Sequence, residues 1–111
     1  MTNEIKKYLH DIITSIEAIN EYLGNKRNFF DFQNNRMLKK AVEREFEIIG
    51  EAINRILKID NNIEITSARK IVDLRNYLSH GYDSVDYNTL WAIISKHLPL
   101  LEIEVKSLIE L

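Results

Sequence analysis

The chain has 111 residues, of which 45% are hydrophobic and 29% are charged, as expected for one globular domain with a single core. Its formal net charge of −2 gives no general attraction to nucleic acid, so any RNA binding requires a local basic patch. The absence of cysteine excludes disulfides, cysteine nucleophiles and thiolate metal sites, and fits a reducing cytoplasm. No apolar run approaches the roughly 20 residues of a membrane span, so we expect residues 1–111 to form one soluble, cytoplasmic domain.

The first predicted helix is capped by Thr2 or Asn3 and ends at Gly24 or Asn25. Its apolar residues recur every three or four positions: Ile5, Tyr8, Leu9, Ile12, Ile16, Ile19 and Leu23. Residues 26–35 are predicted to be a connection whose phenylalanines pack on the bundle or on a partner. These are Phe29, Phe30 and Phe32. The basic residues around them either contact phosphate or form a solvated loop; they are Lys26, Arg27 and Arg36.

The second predicted helix is long, from about residue 34 to residue 57. Its apolar face contains Leu38, Ala41, Val42, Ile48, Ile49, Ala52, Ile53 and Ile56. Glu45 lies on this face, and a carboxylate facing the core needs a partner. We therefore hypothesise that Glu45 pairs with Arg75; the alternative is that Glu45 reaches solvent at a helix crossing. Glu43, Glu47 and Glu51 are predicted to lie on the solvated side.

Gly50 is the one glycine inside this predicted helix. Glycine in a helix interior costs about 1 kcal/mol relative to alanine, which indicates that another backbone approaches closely there. That backbone belongs either to the same chain or to a second copy.

The third and fourth predicted helices complete the bundle. Thr66 or Ser67 caps the third, whose apolar residues Ala68, Ile71, Leu74 and Leu78 have Arg75 among them. Residues 83–86 supply caps for the fourth helix. Pro99 is expected to kink or split it near residues 96–98, because proline removes an amide donor and clashes with the preceding turn. We predict an all-α, antiparallel four-helix bundle, with five helices by count if Pro99 splits the last.

Residues 75–82 read R-N-Y-L-S-H-G-Y and combine a fixed cation, a histidine and a tyrosine. Arg75 and His80 converge only if the helix ends near residue 79, and Gly81 favours such an end because glycine adopts the left-handed conformation. Histidine exchanges protons near neutral pH, and arginine grips phosphate with two donors. Asn76 either positions substrate or His80, or is simply an exposed helix residue.

The R-x4-H-x-Y pattern at Arg75, His80 and Tyr82 resembles the motif of HepT-like ribonuclease toxins in the HEPN superfamily. Residues 41–52, A-V-E-R-E-F-E-I-I-G-E-A, and the later L-W-A-I-I extend the resemblance over most of the chain. The resemblance implies a homodimeric, metal-independent endoribonuclease that acts as the toxin of a toxin–antitoxin pair. In it, Arg75 and His80 are catalytic, and Tyr82 is adenylylated by a nucleotidyltransferase-type antitoxin.

The sequence does not predict a metal site, and it leaves two alternative functions open. The three histidines lack metal-pair spacing, and His10 and His97 are expected at the surface, so neither a metal nor a cofactor is predicted. One alternative is a non-catalytic module that binds a nucleotide or a partner protein through Arg75 and His80. Another is a plain helical dimer in which an Arg75–Glu45 pair is structural.

Overall fold

The computed structural model describes residues 1–25, 27–79 and 86–111, and all regular structure in these residues is helical. Six helices follow in chain order: α1 (Asn3–Leu23), α2 (Phe29–Gln33), α3 (Arg36–Ile59), α4 (Ala68–Ser79), α5 (Tyr87–Lys96) and α6 (Leu98–Ile109). The prediction of an all-α fold is confirmed. His80 and Tyr82 lie outside the described residues.

Local side-chain chemistry explains where several helices begin and end. The Thr2 hydroxyl accepts a hydrogen bond from the Ile5 amide at 3.1 Å and caps α1. Gly24 ends the same helix with a φ of +66°, a conformation that glycine adopts without steric cost. The Asn35 side chain caps α3 through the Leu38 amide. Asp86 caps α5 through the amides of Asn88 and Thr89.

Helix α1 runs antiparallel to α3, and α4 runs antiparallel to α5. Tyr22, near the end of α1, donates a hydrogen bond to Glu45 in the first half of α3, whereas Tyr8, near the start of α1, lines a cleft with Ala52. Ser67, just before α4, lies 2.9 Å from the His97 ring at the end of α5. The core between these helices is built mainly from isoleucine and leucine. Its largest fully buried side chains include Phe32, Phe46, Leu9, Ile12, Ile49, Ile53, Ile71 and Leu90.

Pro99 separates α5 from α6, as predicted. Helix α5 ends at Lys96, and proline occupies the first turn of α6, where its missing N–H breaks no helical hydrogen bond. Because α6 continues the bundle after this break, Leu98, Leu101 and Val105 remain buried in the core.

The prediction of a connection over residues 26–35 is wrong for Phe29–Gln33, which form α2. The Asn28 side chain caps this short helix, and Phe32 is fully buried. Phe32 packs against Trp91 with 5.1 Å between ring centroids, and Phe29 also contacts Trp91. Phe30 is 70% exposed and does not join the core. None of the described helices is both long enough and apolar enough to cross a membrane.

Candidate active site

Helix α4 crosses α3 at Gly50, which brings Arg75 against the backbone of α3. A Cβ atom added at Gly50 would lie 2.6 Å from the Cγ of Arg75 and 3.3 Å from the carbonyl oxygen of Ile71. Both distances are too short for ordinary packing, so only glycine permits this approach. The predicted close approach at Gly50 is confirmed, and the approaching backbone belongs to the same chain.

The Arg75 guanidinium is held at this crossing by two polar side chains. Its Nη2 forms an ion pair with Oε2 of Glu51, the residue next to Gly50. Its Nη1 donates to the side-chain oxygen of Asn76 at 2.9 Å. The Arg75 side chain is 28% exposed, so its charge is only partly removed from water. Among the described residues, these contacts use two of the five guanidinium N–H donors, and the others are compatible with a bound phosphate.

The hypothesis that Glu45 pairs with Arg75 is wrong. Glu45 instead accepts a hydrogen bond from the Tyr22 hydroxyl at 2.9 Å, which ties it to α1. The two carboxylates lie on different flanks of α3. Glu45 also lies five residues, or about 7.5 Å along the helix axis, before the crossing at Gly50. Glu51 immediately follows that crossing and lies within reach of Arg75.

A second arginine supports the Glu51 carboxylate. Arg55 donates from Nε to Oε1 of Glu51 at 2.8 Å. Hydrogen bonding with Glu51 and with Tyr8 raises the pKa of Arg55 above its ordinary value. Glu51 therefore lies between two guanidinium groups, one on its own helix and one on α4. Glu51 was predicted on the solvated side of α3; its side chain is 35% exposed, and it also reaches Arg75 on α4.

Arg75 lies at the edge of a solvent-open cleft of about 360 Å³ between α1, α3 and α4. Its lining is strongly charged and comprises Tyr8, Asp11, Arg44, Glu47, Ile48, Glu51, Ala52 and Arg75. Arg44 and Glu47 pair with one another on α3. The cleft thus exposes a positioned guanidinium to solvent, beside the carboxylates of Asp11, Glu47 and Glu51.

The predicted site is therefore seen in part. Helix α4 is described as far as Ser79, so the predicted convergence of Arg75 and His80 lies outside the described residues. Asn76 is an exposed helix residue, as one of its two interpretations predicted, and its side-chain oxygen also accepts a hydrogen bond from Arg75. The predictions for His80 and Tyr82 fall outside the described residues.

A buried carboxylate anchors the start of α5. Glu43 is only 7% exposed and accepts a hydrogen bond from the Tyr87 hydroxyl at 2.8 Å. Lys40 pairs with the other oxygen of Glu43 at 3.3 Å, and the Lys39 ammonium lies 4.3 Å from the Tyr87 ring centroid. The prediction that Glu43 is solvated was wrong, because its carboxylate is buried against Tyr87 of α5. The Glu43–Tyr87 bond fixes where the chain resumes after the motif.

Replacing Tyr87 with phenylalanine tests this anchor. Burial and the Glu43 carboxylate raise the Tyr87 pKa to about 12. The protonated hydroxyl therefore stabilises the fold fully below about pH 10, the unfolded pKa, and that contribution is lost as pH rises through about 12. We expect Tyr87→Phe to lower the free energy of unfolding by about 1–2 kcal/mol at neutral pH.

Urea unfolding at several pH values measures this effect. The gap between the wild type and Tyr87→Phe should narrow between about pH 10 and pH 12. A gap that stays constant over this range would contradict the anchor. Tyr22→Phe is the matched control, because the Tyr22 hydroxyl also bonds a glutamate but is exposed.

The two histidines outside the motif have different environments, and neither belongs to a metal-binding cluster of the described residues. His10 is exposed, as predicted. His97 is half-buried and its Nδ1 lies 2.9 Å from the buried Ser67 hydroxyl, so it is not the surface residue expected. Within residues 1–25, 27–79 and 86–111, no cluster of three or more histidine, aspartate or glutamate side chains is arranged to hold a metal ion.

Comparison with known proteins places this fold and motif in one family. Residues 12–108 match the family model described as "Ribonuclease HepT-like". The chain is 34% identical to "Putative RNase MJ1380" of Methanocaldococcus jannaschii over 93% of this chain and 94% of that protein. It is 33% identical to "Probable ribonuclease HepT" of Thermococcus cleftensis, over 92% and 93% respectively. No solved structure shows a significant match. The chain belongs to the HepT-like ribonuclease family.

Proposed function

We propose that this protein is a metal-independent endoribonuclease that acts as the toxin of a toxin–antitoxin pair. The observation that carries the proposal is the Arg75 guanidinium, held by Glu51 at the edge of a solvent-open cleft. Arg75 lies on α4 and precedes His80 by five residues in the sequence. Membership of the HepT-like ribonuclease family supports the choice of RNA as substrate.

The two proposed catalytic residues divide the chemistry between them. His80 acts as a general acid or base, because its side chain exchanges protons near neutral pH. A base removes the proton of the RNA 2′-hydroxyl, the 2′-oxygen attacks the adjacent phosphorus, and the 5′-oxygen leaves with a proton from an acid. Arg75 stabilises the charge that develops on the phosphate oxygens. The products carry a 2′,3′-cyclic phosphate and a 5′-hydroxyl.

A homodimer completes this site in the proposal. The motif supplies one histidine for two proton transfers, and two copies of the motif in one cleft supply both an acid and a base. This part of the proposal rests on the resemblance to HEPN ribonucleases. Analytical ultracentrifugation measures the mass of the protein in solution directly.

Tyr82 is the proposed point of control. In HepT-like toxins the tyrosine of this motif is adenylylated by a nucleotidyltransferase-type antitoxin, and Tyr82 occupies that position two residues after His80. An AMP group there would bring a phosphate anion towards Arg75 and His80 and would occupy the place of the RNA phosphate. The modified protein is therefore expected to be inactive.

A second candidate function is a non-catalytic module that binds a nucleotide or a protein partner. One observation favours it: Glu51 and Asn76 both engage the Arg75 guanidinium in the isolated chain. A guanidinium held in place in this way can bind a phosphate without catalysing a reaction. The two functions differ in whether purified, unmodified protein cuts RNA.

Cleavage of a defined RNA by unmodified protein in the presence of a chelator tests the proposal. We expect His80→Ala to slow cleavage by about 10²–10⁴-fold, the range for loss of a general acid or base. His10→Ala is the matched control, because His10 is an exposed histidine on α1, and it should cleave at the wild-type rate. Equal rates for wild type and His80→Ala would overturn the proposal and favour the binding module.

A further inference from the structure

A second and larger cavity lies between α4 and α5, on the other side of α4 from the charged cleft. Its volume is about 880 Å³, within the roughly 300–1,000 Å³ of small-molecule sites. We call it the α4–α5 groove. Its lining comprises Lys70, Asp73, Leu74, Asp86, Thr89, Ala92, Ile93, Lys96 and His97.

Lysines and aspartates both line the α4–α5 groove. Lys70 and Lys96 lie near the contact between Ser67 and His97, at the end of the groove beside the start of α4. His97 adds a ring that the Ser67 hydroxyl holds through Nδ1. Asp73 and Asp86 line the groove as well, and Asp86 is about 15 Å from Lys96 along α5 at 1.5 Å per residue. Asp86 already caps α5, and its hydrogen bonds to Thr89 lower its pKa, so it stays ionised.

Leu74, Ala92 and Ile93 line the groove with apolar side chains. Leu74 is half-buried, Ile93 is buried and Ala92 is exposed, so the groove has an apolar wall that solvent reaches. An apolar wall beside a pair of lysines suits a nucleotide, because the aliphatic side chains contact the base and the lysines attract its phosphate. The two aspartates disfavour a second phosphate elsewhere in the groove.

We propose that the α4–α5 groove binds one nucleotide of the substrate RNA. The base lies against Leu74, Ala92 and Ile93, and the phosphate lies between Lys70 and Lys96. This site rests on the proposed ribonuclease function and specifies how the strand is held at a distance from the cleavage motif. Its two lysines are the groove's cations for the RNA phosphate, because the chain as a whole has a formal charge of −2.

Fluorescence anisotropy with a labelled single-stranded RNA of ten nucleotides tests the phosphate contact. The parent protein carries His80→Ala, so that the RNA stays intact. The Lys70→Ala/Lys96→Ala variant should raise the Kd by about tenfold and reduce the slope of log Kd against log salt by about 0.7–1.4. The matched control is Lys6→Ala/Lys58→Ala, which removes two exposed lysines outside the groove and should change the Kd by less than about twofold.

A neutral substitution tests the apolar wall independently. Ala92→Trp places a large side chain in the groove at an exposed position, so folding should be unaffected. We expect a severalfold higher Kd with an unchanged salt slope, because no charge is removed. An unchanged Kd in both groove variants would overturn the proposal. A change of oligomeric state on Ala92→Trp would also overturn it, because a second copy would then cover the groove.

The same experiment distinguishes a failure of the ribonuclease function from a failure of the groove assignment. If the parent protein does not bind the RNA at all, the ribonuclease function and the groove are both contradicted. If the parent binds RNA and the groove variants bind it equally well, only the groove assignment is contradicted.

Discussion

Replacing Arg75 with alanine is expected to slow RNA cleavage by about 10²–10³-fold while the protein stays folded. The loss has the size seen when one preorganised charge-stabilising group is removed from an active site. The fold should survive because alanine retains the Cβ atom that packs on Gly50. The ion pair itself is partly exposed, and such pairs contribute at most about 1 kcal/mol.

Two further variants distinguish a catalytic role of Arg75 from a structural one. Arg44→Ala removes an arginine that lines the same cleft but pairs with Glu47, so its cleavage rate should stay near the wild-type value. Arg75→Lys keeps the charge but loses the planar pair of donors, and it should recover only part of the rate. Single-turnover cleavage and circular dichroism on the same samples give both readouts. Loss of helicity in step with loss of cleavage would show that Arg75 is structural.

Gly50→Ala should destabilise the protein even though alanine favours helices. The new Cβ atom would overlap Arg75 and approach the Ile71 carbonyl oxygen, and neither neighbour is the free end of a flexible side chain. Helices α3 and α4 must therefore separate, and overpacking of this kind costs about 1–3 kcal/mol. The gain in helix propensity of about 1 kcal/mol only partly offsets it.

Thermal and urea unfolding measure the Gly50→Ala effect. Cleavage should fall as well, because separating the helices moves Arg75 away from Glu51. Thr14→Ala is the control for helix propensity, since Thr14 is exposed on α1 and its replacement should leave stability the same or slightly higher. Wild-type stability and activity in Gly50→Ala would contradict the close packing of α4 against Gly50.

Residue periodicity predicted the helical bundle because each long helix buries one apolar face. The spacing from Ile5 to Leu23 matches the buried side of α1, and Pro99 marks the break between α5 and α6. Gly50 was informative for a related reason, since a glycine inside a helix indicates close approach. Helix α2 was missed because five residues are too few to show a helical period.

The partners of the charged residues could not be predicted in the same way. Heptad spacing correctly placed Glu45 facing the bundle, but it could not distinguish the flank towards α1 from the flank towards α4. The signal that was available is adjacency: Glu51 follows Gly50, where α4 approaches most closely. Burial of Glu43 depends on Tyr87, which is 44 residues away, and no local pattern encodes such a contact.

The central claim is that this chain cuts RNA with its own arginine and histidine, without a metal ion. The most direct test is the chemistry of the RNA ends that unmodified wild-type protein produces in the presence of excess chelator. The account predicts 2′,3′-cyclic phosphate and 5′-hydroxyl ends, because the 2′-oxygen is the nucleophile. Ends with a 3′-hydroxyl and a 5′-phosphate, or cleavage that the chelator abolishes, would contradict it.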